Sequence, residues 1–266
     1  MILYRFCMLL LPAALCTSLM ATDLEETLFL APGLQARVVE TQMVINNPGA
    51  MDIDPLSGDL FIDNRAENEN GTIGQIIRTN PQTGQGSVVI RVSNGYCLGF
   101  TDDGTMYFGV NNFMLAKWDR ARNLFRKFAI IPGVRGFDVG ENGMLYIGEG
   151  SYGPKGLYPN SILEVNPKNG FFKPVFTSAE ASKDTGQLYD ALSSAAILDG
   201  QFYATYKGGQ MVTKTDDGHR DFNSLHALIG GLNQSPLYTE DGVLYQYDIA
   251  GGQLFAIKDG QIHLVA

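Results

Sequence analysis

The sequence holds a single tryptophan, three cysteines and three histidines in 266 residues. Charged residues are only 18%, which excludes a coiled coil, and 45% hydrophobic residues exclude a disordered tail. Positive charge is in deficit: 19 Lys and Arg stand against 28 Asp and Glu, a net charge of −9. A chain this acidic lacks the overall basic character that nucleic acid or an anionic membrane selects. Beyond the first 21 residues no run is apolar enough to span a bilayer, which takes about 20 residues. There is no Gly-x-Ser-x-Gly elbow and no Walker-type phosphate loop, which argues against a serine hydrolase or a nucleotide enzyme. His219, His226 and His263 have no metal-ligand spacing to one another.

The shortage of cysteine is sharper than it looks. Residues 1–21 read as a secretory signal, with Arg5 as the positive end and an apolar run from Phe6 to Cys16 broken only by Pro12. Cys7 and Cys16 fall inside it. The expected mature chain, 22–266, keeps only Cys97 and forms no intrachain disulfide, whether its destination is the periplasm or the exterior. Packing alone must hold it together. Cys97, between Tyr96 and Leu98, reads as a small buried hydrophobe.

Glycine is abundant, with 31 residues, and it is periodic. A pattern of Gly, any residue, an apolar residue and an aromatic occurs five times. The instances are Gly58-Asp59-Leu60-Phe61, Gly104-Thr105-Met106-Tyr107, Gly143-Met144-Leu145-Tyr146, Gly200-Gln201-Phe202-Tyr203 and Gly242-Val243-Leu244-Tyr245. Four of these glycines follow Asp or Asn (Asp103, Asn142, Asp199, Asp241), a pair suited to a two-residue hairpin turn. Each pattern is preceded by a short apolar strand. It is followed by a third strand, a second polar turn and a fourth strand. Four antiparallel strands recurring at this period predict an all-β fold, a β-propeller. Five blades are expected, with six as the alternative. The whole of 22–266 then forms one domain, with an extra N-terminal hairpin over 28–45.

The segment from Asn94 to Phe108 (NGYCLGFTDDGTMYF) resembles the strand-turn-strand unit of NHL-repeat and SMP-30 (gluconolactonase-type) propellers. Residues 46–54 and 135–139 are similar in outline. The resemblance runs over about 46–266. It implies the architecture and leaves function open, since that superfamily mixes lactonases, other hydrolases and binding scaffolds.

Loop length selects a face. The turns joining first to second and third to fourth strands are short. The connections on the opposite face look long, as in 63–71, 149–160 and 178–193, and function concentrates on such loops. The ends of the second strands supply Asp63, Asn64, Asn111, Asn112, Glu149, Tyr206, Lys207 and Asp248. The starts of the innermost strands supply Asn94, Arg135 and Asp190, and Tyr152 and Tyr158 flank Glu149 with apolar area. Carboxylate and amide oxygens meeting at one channel are the ligands a hard cation such as Ca²⁺ takes. The resemblance implies a divalent cation held by a Glu, two Asn and an Asp. Asn94 and Asp190 stand where an Asn and the Asp fall. Pro48-Gly49-Ala50 replaces the family's Glu-Gly-Pro, leaving Glu149 as a spatial substitute. The expected function is that of an exported binding protein presenting this face to a protein, glycan or small molecule. The alternative is a metal-dependent hydrolase of lactones or esters.

Overall fold

A computed structural model describes residues 6–7, 35–36, 41–45, 48–68, 71–91, 97–150, 157–206, 210–221, 237–240, 242–248, 253–258 and 261–265. A two-residue parallel bridge joins β1 (Phe6–Cys7) to β2 (Gln35–Ala36). The remaining strands form five four-stranded antiparallel sheets, each built from consecutive segments of chain. Blade one comprises β3 (Pro48–Ile53), β4 (Leu60–Asn68), β5 (Gly71–Thr79) and β6 (Gly86–Arg91). Blade two comprises β7 (Leu98–Phe100), β8 (Met106–Val110), β9 (Met114–Asp119) and β10 (Leu124–Ala129). Blade three comprises β11 (Val134–Val139), β12 (Leu145–Glu149), β13 (Ser161–Val165) and β14 (Phe172–Thr177). Blade four comprises β15 (Leu192–Leu198), β16 (Gln201–Tyr206), β17 (Met211–Thr215) and β18 (Gly218–Asp221). Blade five comprises β19 (Leu237–Glu240), β20 (Val243–Asp248), β21 (Gln253–Lys258) and β22 (Gln261–Leu264). This is a five-bladed β-propeller, and no blade borrows a strand from another among the described residues.

The repeated aromatics explain why the blades stack. Each lies on a second strand, and alternation sends it toward the next blade. Phe61 clusters with Met106 and Phe108, Tyr107 with Leu145 and Ile147, and Tyr146 with Ala204 and Tyr206. Tyr203 likewise meets Leu244. The apolar residues flanking each aromatic therefore point back at the preceding blade.

The glycine turns are more varied than the sequence suggests. Among the described residues, Asp199-Gly200 is a two-residue turn with both residues left-handed, at φ 50° and 73°. In blades two and three the turn is longer by one or more residues. Gly104 (φ 76°) and Gly143 (φ 71°) take the left-handed position, and their N–H groups bond to Thr101 O and Gly140 O. The Asx residue stays right-handed and uses its side chain instead. Asp103 Oδ1 accepts from Thr105 N (3.0 Å), and Asn142 Oδ1 from Met144 N (3.0 Å). The Asx-Gly signature thus located the turns but not their length, because either residue can supply the reversal.

Inner strands are tied across blades by carboxylates. Asp52 Oδ2 accepts from Phe100 N (2.8 Å), linking blades one and two. Asp138 Oδ2 accepts from Ile197 N (2.8 Å) and from Thr239 Oγ1 (3.0 Å), linking blades three, four and five. The expected 28–45 hairpin lies largely outside the described residues, but 41–45 runs along blade one. Gln42 N bonds to Gly84 O (2.9 Å), Thr41 Oγ1 to Thr79 Oγ1 (3.0 Å), and Val44 O accepts from Asn64 Nδ2 (3.0 Å).

One element was not expected. The chain between blades three and four forms helix α1 (Ser178–Thr185). Thr177 caps it by accepting from Glu180 N (3.2 Å), and Gly186 ends it at φ 75°. The helix packs against β18 and β14 at the outer rim. His219 Nδ1 bonds to Asp184 of the helix (2.6 Å). Tyr189 donates to Asp221 (2.8 Å).

Candidate functional site

The second strands of all five blades end on one side of the ring, and the first strands begin there. Three first strands carry a register shift close to that start, between Pro48 and Ala50, Arg135 and Asp138, and Leu192 and Ser194. Such bulges re-aim side chains at a channel mouth. In blade three the bulge rests on Gly136, at φ 67°, where an added Cβ would lie 2.7 Å from Ala195 N. A side chain has no room there, so glycine is required and Arg135 is turned inward. Its Nη1 donates to Asn112 Oδ1 (2.7 Å) and to the carbonyl of Val134 (3.0 Å).

Buried polar groups gather at this end. Asp63, Asn64, Arg135, Glu149 and Gln246 are each at most 2% exposed. Two residues beyond Phe61, Asp63 shares its face and points at blade two. Three residues beyond Tyr146, Glu149 takes the opposite face and also points at blade two. The charges of Asp63 and Arg135 both act on Cys97, which lies at the start of the inner strand between them. Burial, with the Asp63 charge adding to it, pushes the Cys97 thiol up, so the residue is inert, as expected of a small core hydrophobe. Glu149 is held above its ordinary range by burial, only partly offset by the N–H of Tyr158. Among the described residues its Oε1 has no hydrogen-bond partner. The same holds for both amide atoms of Gln246 and for Ser193 Oγ.

A second group forms around Asn160, which sits at φ 60° next to Ser161, the backbone partner of Glu149. Asn160 Nδ2 donates to Asp190 Oδ1 (3.1 Å), its Oδ1 accepts from Leu192 N (3.1 Å), and its carbonyl accepts from Tyr206 (3.3 Å). Asp190, Leu192 and Tyr206 are thereby gathered around Asn160.

The structure does not bring every residue expected here together. Asn111 is exposed and serves the 110–113 turn, at φ 55°. Asn64 secures the segment 41–45. Tyr158 is half-buried and packs between blades two and three. Asp248 ends β20 opposite Gln253. Asn94, Tyr152 and Lys207 lie outside the described residues. The expectation of uniformly long loops is also corrected. Residues 63–71 are not a loop: β4 and β5 stay paired from Leu60 opposite Thr79 to Asn68 opposite Gly71. Asp63 is therefore a strand residue, and its burial follows from that. Among the sequence-predicted metal ligands, Asp190 is exposed and its Oδ1 is used by Asn160 and by its neighbour's N–H. No group of three or more His, Cys, Asp or Glu side chains able to hold a metal ion occurs among the described residues.

Sequence reasoning missed Asn160 and Gln246. For Gln246 a signal existed. The residue after each repeat aromatic is Ile62, Phe108, Ile147 or Ala204 in the other blades, and a glutamine at that apolar position stands out once the repeats are aligned.

No protein-family model matches the sequence, and no curated protein matches it. Solved structures do. The chain is similar to one in a nidogen/laminin complex, at 11% identity and a TM-score of 0.59, over 79% of this chain and 75% of that one. It is similar to an auxiliary nutrient binding protein from Bacteroides ovatus, at 14% identity and a TM-score of 0.56, over 83% and 57% of the two chains. A structural-genomics protein of unknown function from Bacteroides thetaiotaomicron matches at 12% and 0.62, over 84% and 58%. This chain thus spans less than three fifths of the two Bacteroides chains. At such identities the shared feature is the β-propeller fold.

Proposed function

We propose that the protein is an exported β-propeller that binds a ligand at the channel mouth where Asp63, Arg135 and Glu149 converge. The observation that carries this reading is the fully buried Glu149 carboxylate with one oxygen unpartnered. A buried charge without a partner is costly, and folded proteins retain such groups where something else uses them. With Arg135 it leaves a mouth able both to accept and to donate hydrogen bonds. A small molecule or the terminal sugar of a glycan, rich in hydroxyl and amine donors, fits that inventory. Export rests on the leader-like residues 1–21. No helix among the described residues is long and apolar enough to cross a membrane.

The test is a thermal-shift and calorimetry screen of mono- and disaccharides, amino acids and lactones against the wild type and Glu149→Gln. A ligand that stabilises the wild type and loses at least tenfold in affinity on the variant supports the reading. Equal response of both proteins overturns it. Chelator-sensitive hydrolysis of a lactone would replace it with the hydrolase alternative.

A further inference from the structure

Each blade ends in an outer strand whose free edge carries unpaired N–H and C=O groups, and natural sheets usually protect such edges. Three outer strands here are protected. Met43 packs over the start of β6 at Gly86, β14 contains Pro174, and α1 packs against β18. Among the described residues nothing of that kind covers the fourth, β10. Leu124, Phe125, Arg126 and Lys127 are consecutively exposed, with Leu124 at 62% and Phe125 at 41%. No other outer strand with fully described side chains has such a run. A register shift after Lys127 bounds the accessible stretch.

This edge also carries the opposite charge to the rest of the molecule. Residues 117–127 hold five basic side chains and one acidic one in a chain of net charge −9. Arg120 is paired with Asp54 and Arg122 with Asp119. No ion pair engages Lys117, Arg126 or Lys127 among the described residues. Arg126 lies directly opposite Lys117 on β9, an unfavourable like-charge pair.

We propose that β10 is a docking edge for an extended acidic peptide segment of a partner protein, which adds as a fifth strand to blade two. The backbone edge supplies hydrogen bonds, Leu124 and Phe125 supply apolar contact, and Arg126 on one face with Lys127 on the other select carboxylates at successive positions. A second copy of this chain is disfavoured, because antiparallel self-pairing sets these cations against each other. An anionic membrane is disfavoured, because a broad surface would also meet the acidic remainder of the molecule. A single strand touches only the edge. The site is on the outer rim, away from the channel mouth, so its fate is independent of the Glu149 reading.

The experiment titrates the full chain at 0.15 M salt with an eight-residue Glu/Val peptide in which pairs of Glu alternate with pairs of Val, so that carboxylates lie on both faces. Its comparators are a Lys/Val peptide, a Glu/Val peptide N-methylated at alternate amides, and phosphatidylserine vesicles. Binding of the Glu/Val peptide is expected, with slowed amide exchange at 124–127 and at least tenfold loss on N-methylation. The variant Arg126→Glu/Lys127→Glu, changed at two exposed positions, should melt as the wild type does. It should lose the Glu/Val peptide at least tenfold and gain the Lys/Val peptide. Undiminished binding of the N-methylated peptide, protection elsewhere than β10, vesicle binding without peptide binding, or dimerisation through β10 would each overturn the proposal.

Discussion

The two ends of the blades use the same residue types to opposite effect. At the tight-turn end, Asp and Asn side chains are spent on the backbone. Asp103, Asn142 and Asn166 each accept from an N–H two residues on, at 2.9–3.0 Å, and most remain in reach of solvent. At the channel mouth, Asp63, Arg135 and Glu149 are withdrawn from solvent, and Glu149 has an oxygen without a partner. A polar residue in a turn stabilises the fold locally. A polar residue buried at the mouth without a partner costs stability instead.

Substitutions can break this contrast. The largest effect is expected at Gly136. Alanine there meets Ala195 N at 2.7 Å and must hold φ 67°, so Gly136→Ala should cost about 3 kcal/mol or more in denaturant melts. Next comes a turn-end exception, Asp54. It is 1% exposed and bound by Arg120 (2.8 Å) and Ser57 (2.6 Å), with its carboxyl held below the ordinary range despite burial. Asp54→Ala should cost about 2–3 kcal/mol by the same measurement.

The inner strands predict a pH dependence. Burial is the leading influence on Asp138 and raises it to about 6, although Ile197, Val139 and Thr239 donate to it. A carboxyl raised in the folded state favours folding when protonated. Its contribution is complete below pH 4 and lost as pH rises through about 6. Melting temperature should therefore carry a component that falls by several degrees between pH 4 and 6, and Asp138→Asn should remove it. Glu149→Gln should act in the same direction, raising the melting temperature slightly at neutral pH while weakening ligand binding. A lower melting temperature would make Glu149 structural. The smallest effect is expected at Gly143, where a Cβ meets nothing within 4 Å. Gly143→Ala bears only the left-handed penalty at φ 71°, about 1 kcal/mol.

Much of the candidate site was visible as residue types at strand ends, but their burial was not. The polar run 63–71 reads as a loop because Asn, Glu and Gly favour loops. Cross-strand pairing with β5 overrides that preference and draws Asp63 into the blade. Asn160 gains its role only because Asp190 and Leu192, about thirty residues away, fold against it. The α1 segment carried its own local signals, a Thr177-x-x-Glu180 cap and Gly186, yet its rim position comes from β18.

By itself the sequence determined the repeat and the strand order within each blade, because turns and alternating strands are written in residues close together in the chain; the structure settled the count at five rather than six. Tertiary structure decided which polar groups lost their water, which glycine had no space for a side chain, and which outer edge stayed uncovered. Those properties depend on contacts between blades that local sequence does not specify, so neither the mouth around Glu149 nor the bare edge at β10 follows from the order of residues alone.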